Sequence, residues 1–141
     1  MKRHETLAPL SREHHGALIL ARLLRKNAPA YKGLPEQPEA KAVYALNFFK
    51  TNLESHFSKE EALLHQLKKY NSEIEKLTKE IISEHLQLTA MFDTLQDAKE
   101  LTDTMDKLGT LLEDHIRKEE RILFPLIQEH CPEEILKTIE L

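Results

Sequence analysis

HFSKEE (His56–Glu61) and HIRKEE (His115–Glu120) are two copies of one phrase, His-x-x-Lys-Glu-Glu, in a chain of 141 residues. Each copy sits where a helix should be burying leucines. Alternating steps of three and four residues through the second copy pass Leu101, Met105, Leu108, Leu112, His115, Glu119, Ile122 and Leu126. The same steps through the first pass Leu46, Phe49, Leu53, His56, Glu60, Leu63 and Leu67. Both rows are core-facing stripes of α-helices, and in both a histidine and a glutamate one turn apart fill core positions. An unpaired buried ion costs several kcal/mol, a large share of the ~5–15 kcal/mol by which a domain is stable. A bound metal would turn that cost into a gain.

The same test sorts the other histidines. Steps through His14 give Leu7, Leu10, His14, Ala17, Ala21 and Leu24, an apolar face; steps through His15 meet Ser11, Arg22 and Arg25. His14 therefore points inward, with His15 beside the site or at the surface. In the third helical stretch the row Ile74, Thr78, Ile81, His85, Leu88, Phe92, Leu95 carries His85 inward. Each helix contributes one inward histidine, and the second and fourth each add a glutamate. The expected ligand set is His14, His56, Glu60, His85, His115 and Glu119. Imidazole suits iron, zinc and copper, and carboxylates can bridge two ions. The repeat pairs His14 with His56 and His85 with His115, with Glu60 and Glu119 bridging.

Composition agrees with a helical reading. Hydrophobic residues make up 40% of the chain, with only 3 Gly and no Trp, and strand-like alternation is scarce. We expect an all-α, up-down four-helix bundle forming a single domain over residues 1–141. The predicted helices run from about Ser11 to Lys26 (or from Leu7), Glu39 to Tyr70, Glu73 to Lys99 and Asp103 to His130. Ser11 and Ser72 are the expected caps, Pro125 an expected kink, and Glu133–Leu141 a short fifth helix. Three prolines and a glycine mark Asn27–Pro38 as a loop. The halves read EH…HxxKEE twice, as a repeat with pseudo-twofold packing would.

A net charge of −4 argues against nucleic-acid binding. No apolar run approaches the ~20 residues that span a bilayer, and the first residues lack the apolar stretch of a signal peptide. A single cysteine, Cys131, suits a reducing cytoplasm. Phenylalanines, Met91 and Met105 are expected in the core. His4, His65 and His130 are expected at the surface. Glu13 and Glu84 are expected to be solvated, and Glu61 and Glu120 to be solvated or paired to lysines. A third His-x-x-x-Glu, at His130 and Glu134, straddles Pro132 and is discounted.

The motifs EH at 13–14, HxxxEE at 56–61, EH at 84–85 and HxxxEExxLFP at 115–125 resemble the hemerythrin-like (HHE cation-binding) domain over nearly the whole chain. The resemblance implies a four-helix bundle with a non-haem di-iron centre, oxo- or hydroxo-bridged, that binds O2 or a related small ligand such as NO or peroxide. Manganese or zinc could take the place of iron. The oxygen carriers of that family have a second inward histidine one turn beyond the first on the third helix; here Thr89 stands there, which favours reaction with or sensing of O2 or peroxide over reversible carriage. Iron homeostasis and stress protection are further roles it implies. A di-iron oxidase or peroxidase is one rival reading, and a zinc-binding or structural bundle another.

Overall fold

The computed structural model describes residues 2–141 and is helical, with no strand among them. The first helix, α1, spans Ala8–Leu23 with Pro9 in its opening turn, where a missing N–H costs nothing. Ser11 lies inside this helix rather than capping it, because its hydroxyl donates to Glu120 instead. α2 (Pro38–Phe48) likewise opens on a proline and passes through a π-helical stretch, Phe49–Leu53, into α3 (Glu54–Leu67). α4 covers Ser72–Thr94. Its cap is Asn71, not Ser72: Asn71 Oδ1 accepts from the Glu73 and Ile74 amides at 2.9 and 3.2 Å, satisfying two donors that a helix start leaves open.

α5 (Leu101–Lys118) continues through a second π-helical stretch, Glu119–Leu123, into α6 (Phe124–His130). The irregularity expected at Pro125 is thus a widened turn just before it, which accommodates a ring that has no N–H to donate. The matching stretch at Phe49–Leu53 has no proline. A short α7, Glu133–Leu136, follows Pro132 and stops well before Leu141.

Each π turn carries one extra residue, and this shifts the core stripe. Beyond Glu119 the buried face moves from Ile122, 49% exposed, to Leu123, which is fully buried. In the first copy the stripe upstream of Phe49 runs through Ala45 and Ala42, with Leu46 only half-buried. The straight heptad extrapolation fails at these two places and holds along α1 and α4, where every residue of the two predicted rows is buried.

The apolar core forms two clusters. One gathers Ala17, Ala21, Leu53, Leu88, Phe92 and Leu112 with their neighbours. The other gathers Leu7, Leu10, Leu63, Ile81, Leu123 and Ile127 with theirs. Between them, along every long helix, lie the histidines and glutamates. α1 and α5 pack so closely that a Cβ on Gly109 would sit 2.5 Å from the Ala21 carbonyl oxygen. No helix is long and apolar enough to cross a membrane among the described residues.

Candidate metal centre

His14, His56, Glu60, His85, His115 and Glu119 are all buried and meet in one layer. His56 and Glu60, and His115 and Glu119, are one turn apart, so each pair projects from the same face. His14 Nε2 lies 3.4 Å from Glu60 Oε2 and 3.2 Å from Glu119 Oε1. His56 Nε2 is 3.1 Å from Glu60 Oε2, and His115 Nε2 is 3.2 Å from Glu119 Oε1. His85 Nε2 meets Glu60 Oε1 at 3.1 Å. The potential ligand atoms fall into two sets, His14–His56–Glu60–Glu119 and His85–His115–Glu60–Glu119, each within 4.8 Å. Both carboxylates belong to both sets.

Most of these atoms have no directed partner. His14, His56 and His115 Nε2, Glu60 Oε2 and both Glu119 oxygens are buried without a hydrogen bond to any described residue. Buried polar atoms left unpaired cost ~1–3 kcal/mol each, so six converging in one layer call for a cation. Imidazole and carboxylate are the donors that a first-row transition ion accepts, and the residues fit such an ion.

The outward nitrogens tell a second story. His56 Nδ1 bonds Glu13 at 2.9 Å, His85 Nδ1 bonds Glu61 at 2.8 Å, His115 Nδ1 bonds Glu84 at 2.7 Å, and His14 Nδ1 bonds Glu120 at 2.5 Å. The four contacts run around the bundle, each glutamate reaching the histidine of the next long helix. Such a carboxylate fixes the ring's tautomer and aims Nε2 inward. Glu13 and Glu84 are therefore not simply solvated. They hold histidines and also pair with Lys59 and Lys118. Glu61 and Glu120, expected to be solvated or paired to lysines, bond His85 and His14. The doublets EH and EE carried this signal. It was lost because i and i+1 face apart on one helix, while the contact crosses to the next.

Neighbouring carboxylates favour protonated imidazoles in the layer. Burial opposes protonation of His14, yet Glu119, Glu120 and Glu60 outweigh it and push the imidazole up to about 11. Burial opposes the charge on His115 too, and Glu119 and Glu84 drive it up to about 10. Burial disfavours the Glu60 carboxylate, but the neighbouring His56 and His14 hold it well below the usual range. At neutral pH these imidazoles carry protons that a cation at Nε2 must displace.

Aromatic rings wall the layer. Phe57 stacks on His85 at 4.0 Å and Phe124 on His14 at 5.8 Å. A cleft of about 240 Å³ lined by Gly16, Phe48 and Leu53 opens on His56. Another of about 170 Å³, lined by Leu88 and Leu111, opens on His115. His15, His65 and His130 are exposed and lie off the centre. His4 is half-buried rather than at the surface, because it bonds Glu133 and the Thr6 amide. Cys131 is buried, and burial raises its thiol pKa. Thr89 is half-buried and belongs to neither ligand set.

Glu84→Ala is expected to weaken cation binding by ~10–100-fold through a loosened His115 ring. The metal-free melting temperature should fall as well, because Glu84 supports the protonated, buried His115 and pairs with Lys118; metal titration and thermal melts against wild type check both. His15→Ala, on the exposed neighbour of a ligand position, should change neither.

No curated protein and no solved structure gives a significant match. The family model of the hemerythrin HHE cation binding domain matches residues 6–127, which contain all six inward residues and all four carboxylates behind them. The chain belongs to the hemerythrin HHE cation-binding family.

Proposed function

We propose that this protein holds a non-haem di-iron centre and binds O2 or a related small ligand, NO or peroxide, there. His14 and His56 would hold one ion and His85 and His115 the other, with Glu60 and Glu119 placed to serve both. The observation that carries this reading is the layer of six unpartnered buried atoms, His14, His56 and His115 Nε2, Glu60 Oε2 and both Glu119 oxygens, with each imidazole held from behind by a carboxylate. When bound, two irons supply open coordination positions for O2-type ligands. The protein's part is to orient the imidazoles and wall the layer with Phe57 and Phe124, while the Nε2 protons of His14 and His115 are released to solvent as a cation binds.

The two clefts reach the outer side of a ligand histidine, beside Glu13 at His56 and beside Glu84 at His115. An up-down arrangement of two pseudo-twofold repeats is supported by two features. The long helices alternate in passing from one core cluster to the other, and Glu13–His56 and Glu61–His85 are matched by Glu84–His115 and Glu120–His14. The single, buried Cys131 suits a reducing cytoplasm.

The test is metal content together with a visible spectrum on protein expressed with iron and purified in air. Two irons per chain with near-ultraviolet oxo-bridge absorption, altered by azide, peroxide or O2, is the expected result. Loading should weaken as pH falls, since protons compete for the same imidazoles. Zinc without colour would replace the di-iron reading with a structural bundle.

A further inference from the structure

The four carboxylates behind the histidines are not held alike. Glu13 and Glu84 each pair with the lysine of the neighbouring His-x-x-Lys-Glu-Glu phrase. The other two differ. Glu61, 35% exposed, bonds only His85 among the described residues. Glu120 is gripped from three sides: by His14, by the Ser11 hydroxyl at 2.8 Å, and by Arg3 Nη2 at 3.0 Å.

Arg3 does more than neutralise Glu120. The same Nη2 donates to the Glu120 backbone carbonyl at 3.0 Å, and Nη1 donates to Gln128 at 3.3 Å. Its guanidinium lies 5.4 Å over the Phe124 ring, and that ring stacks on His14 with planes 11° apart. Arg3 thus supports His14 both through the carboxylate on Nδ1 and through the ring on its face. The segment that carries Arg3 is fastened in turn. The His4 amide donates to Gln128 Oε1, Gln128 Nε2 donates to the Lys2 carbonyl, and Thr6 Oγ1 donates to the Leu136 carbonyl, at 3.0, 3.0 and 2.8 Å. Among the described residues nothing equivalent reaches Glu61.

We infer that Arg3 is a positioning residue for His14, so that the two cation positions are unequal, the one at His14 and His56 preorganised and the one at His85 and His115 looser. The inference rests on the two-cation reading of the centre. Imidazole orientation by an outer partner sets ligand affinity, and a partner that is itself locked transmits its order to the ring. Replacing arginine by lysine keeps a charge for Glu120 but loses the planar fork and the stacking on Phe124.

The experiment titrates cobalt(II) into metal-free wild type, Arg3→Ala, Arg3→Lys and His4→Ala, following the visible bands. In parallel, the His14 and His85 ring signals are compared by NMR without metal. Arg3→Ala should weaken one of the two cobalt ions about tenfold and leave the other. It should shift or broaden the His14 ring signal while the His85 signal stays put. Arg3→Lys should fall between. His4→Ala, which removes a fastening to Glu133 without touching Glu120, should resemble wild type. Unchanged cobalt affinities and His14 signal in Arg3→Ala overturn the inference. So does an equal loss at both positions that His4→Ala reproduces, since that is what a merely structural clasp would give. If wild type binds no cobalt, the two-cation reading falls, and the His14 signal alone decides the role of Arg3.

Discussion

With two ions in the proposed centre, Glu119→Gln is expected to strip both, whereas His115→Ala is expected to strip one. Glu119 Oε1 lies 3.2 Å from both His14 and His115, so it serves one histidine of each pair. Glutamine keeps the shape but removes the negative charge that two cations would share. Loss of an outer partner alone costs ~10–100-fold in affinity, so losing a shared inner carboxylate should cost at least that at each position. His115→Ala leaves the His14–His56–Glu60–Glu119 set complete. Elemental analysis after dialysis distinguishes the two outcomes. A metal at a thousandfold excess over its Kd adds ~4 kcal/mol to stability, on the order of 10 °C for a domain of this size. Glu119→Gln should forfeit that metal-dependent increment entirely and His115→Ala only part of it. A Glu119→Gln protein that keeps one ion at full affinity would show that the carboxylate belongs to one position only.

Gly109→Ala is expected to destabilise the protein, against the usual sign. Within a helix, alanine is better than glycine by about 1 kcal/mol. At Gly109 the new Cβ would lie 2.5 Å from the Ala21 carbonyl oxygen and 3.2 Å from Leu24 Cβ. The first is backbone, so α1 and α5 must move apart. Overpacking of this kind costs ~1–3 kcal/mol, a drop of several degrees in melting temperature. Because these helices carry His14 and His115, the displacement should also weaken cation binding. Gly16→Ala is the internal control. Its Cβ would meet only the far edge of the Phe48 ring at 3.4 Å, so it should be neutral or slightly stabilising. Thermal melts of the two metal-free variants decide the matter, and a rise for Gly109→Ala would overturn the close-approach argument.

Much of this was legible in the chain because burial and periodicity are local properties. A histidine spaced among leucines at helical intervals must face where they face, and His14, His56, His85, His115, Glu60 and Glu119 were all found in that way. Helix ends were less legible. Ser11 and Ser72 are chemically suited to capping, yet one hydroxyl is claimed by Glu120 and the adjacent Asn71 caps in place of the other. The core rows failed where π turns insert a residue, at Phe49–Leu53 and Glu119–Leu123, and at Leu101, which is only half-buried at the start of its helix. Pro125 hinted at the second, and nothing in the local pattern marked the first.

The residue pattern by itself determined the helical class and the six residues that face inward, because a 3.6-residue period leaves a side chain only one face to occupy. The tertiary structure alone decided what stands behind those residues. Glu13, Glu61, Glu84 and Glu120 sit beside inward-facing residues in sequence but bond the histidines of other helices. Arg3 reaches Glu120 across 117 positions of chain. No period encodes such contacts, since they depend on how one helix is set against the next.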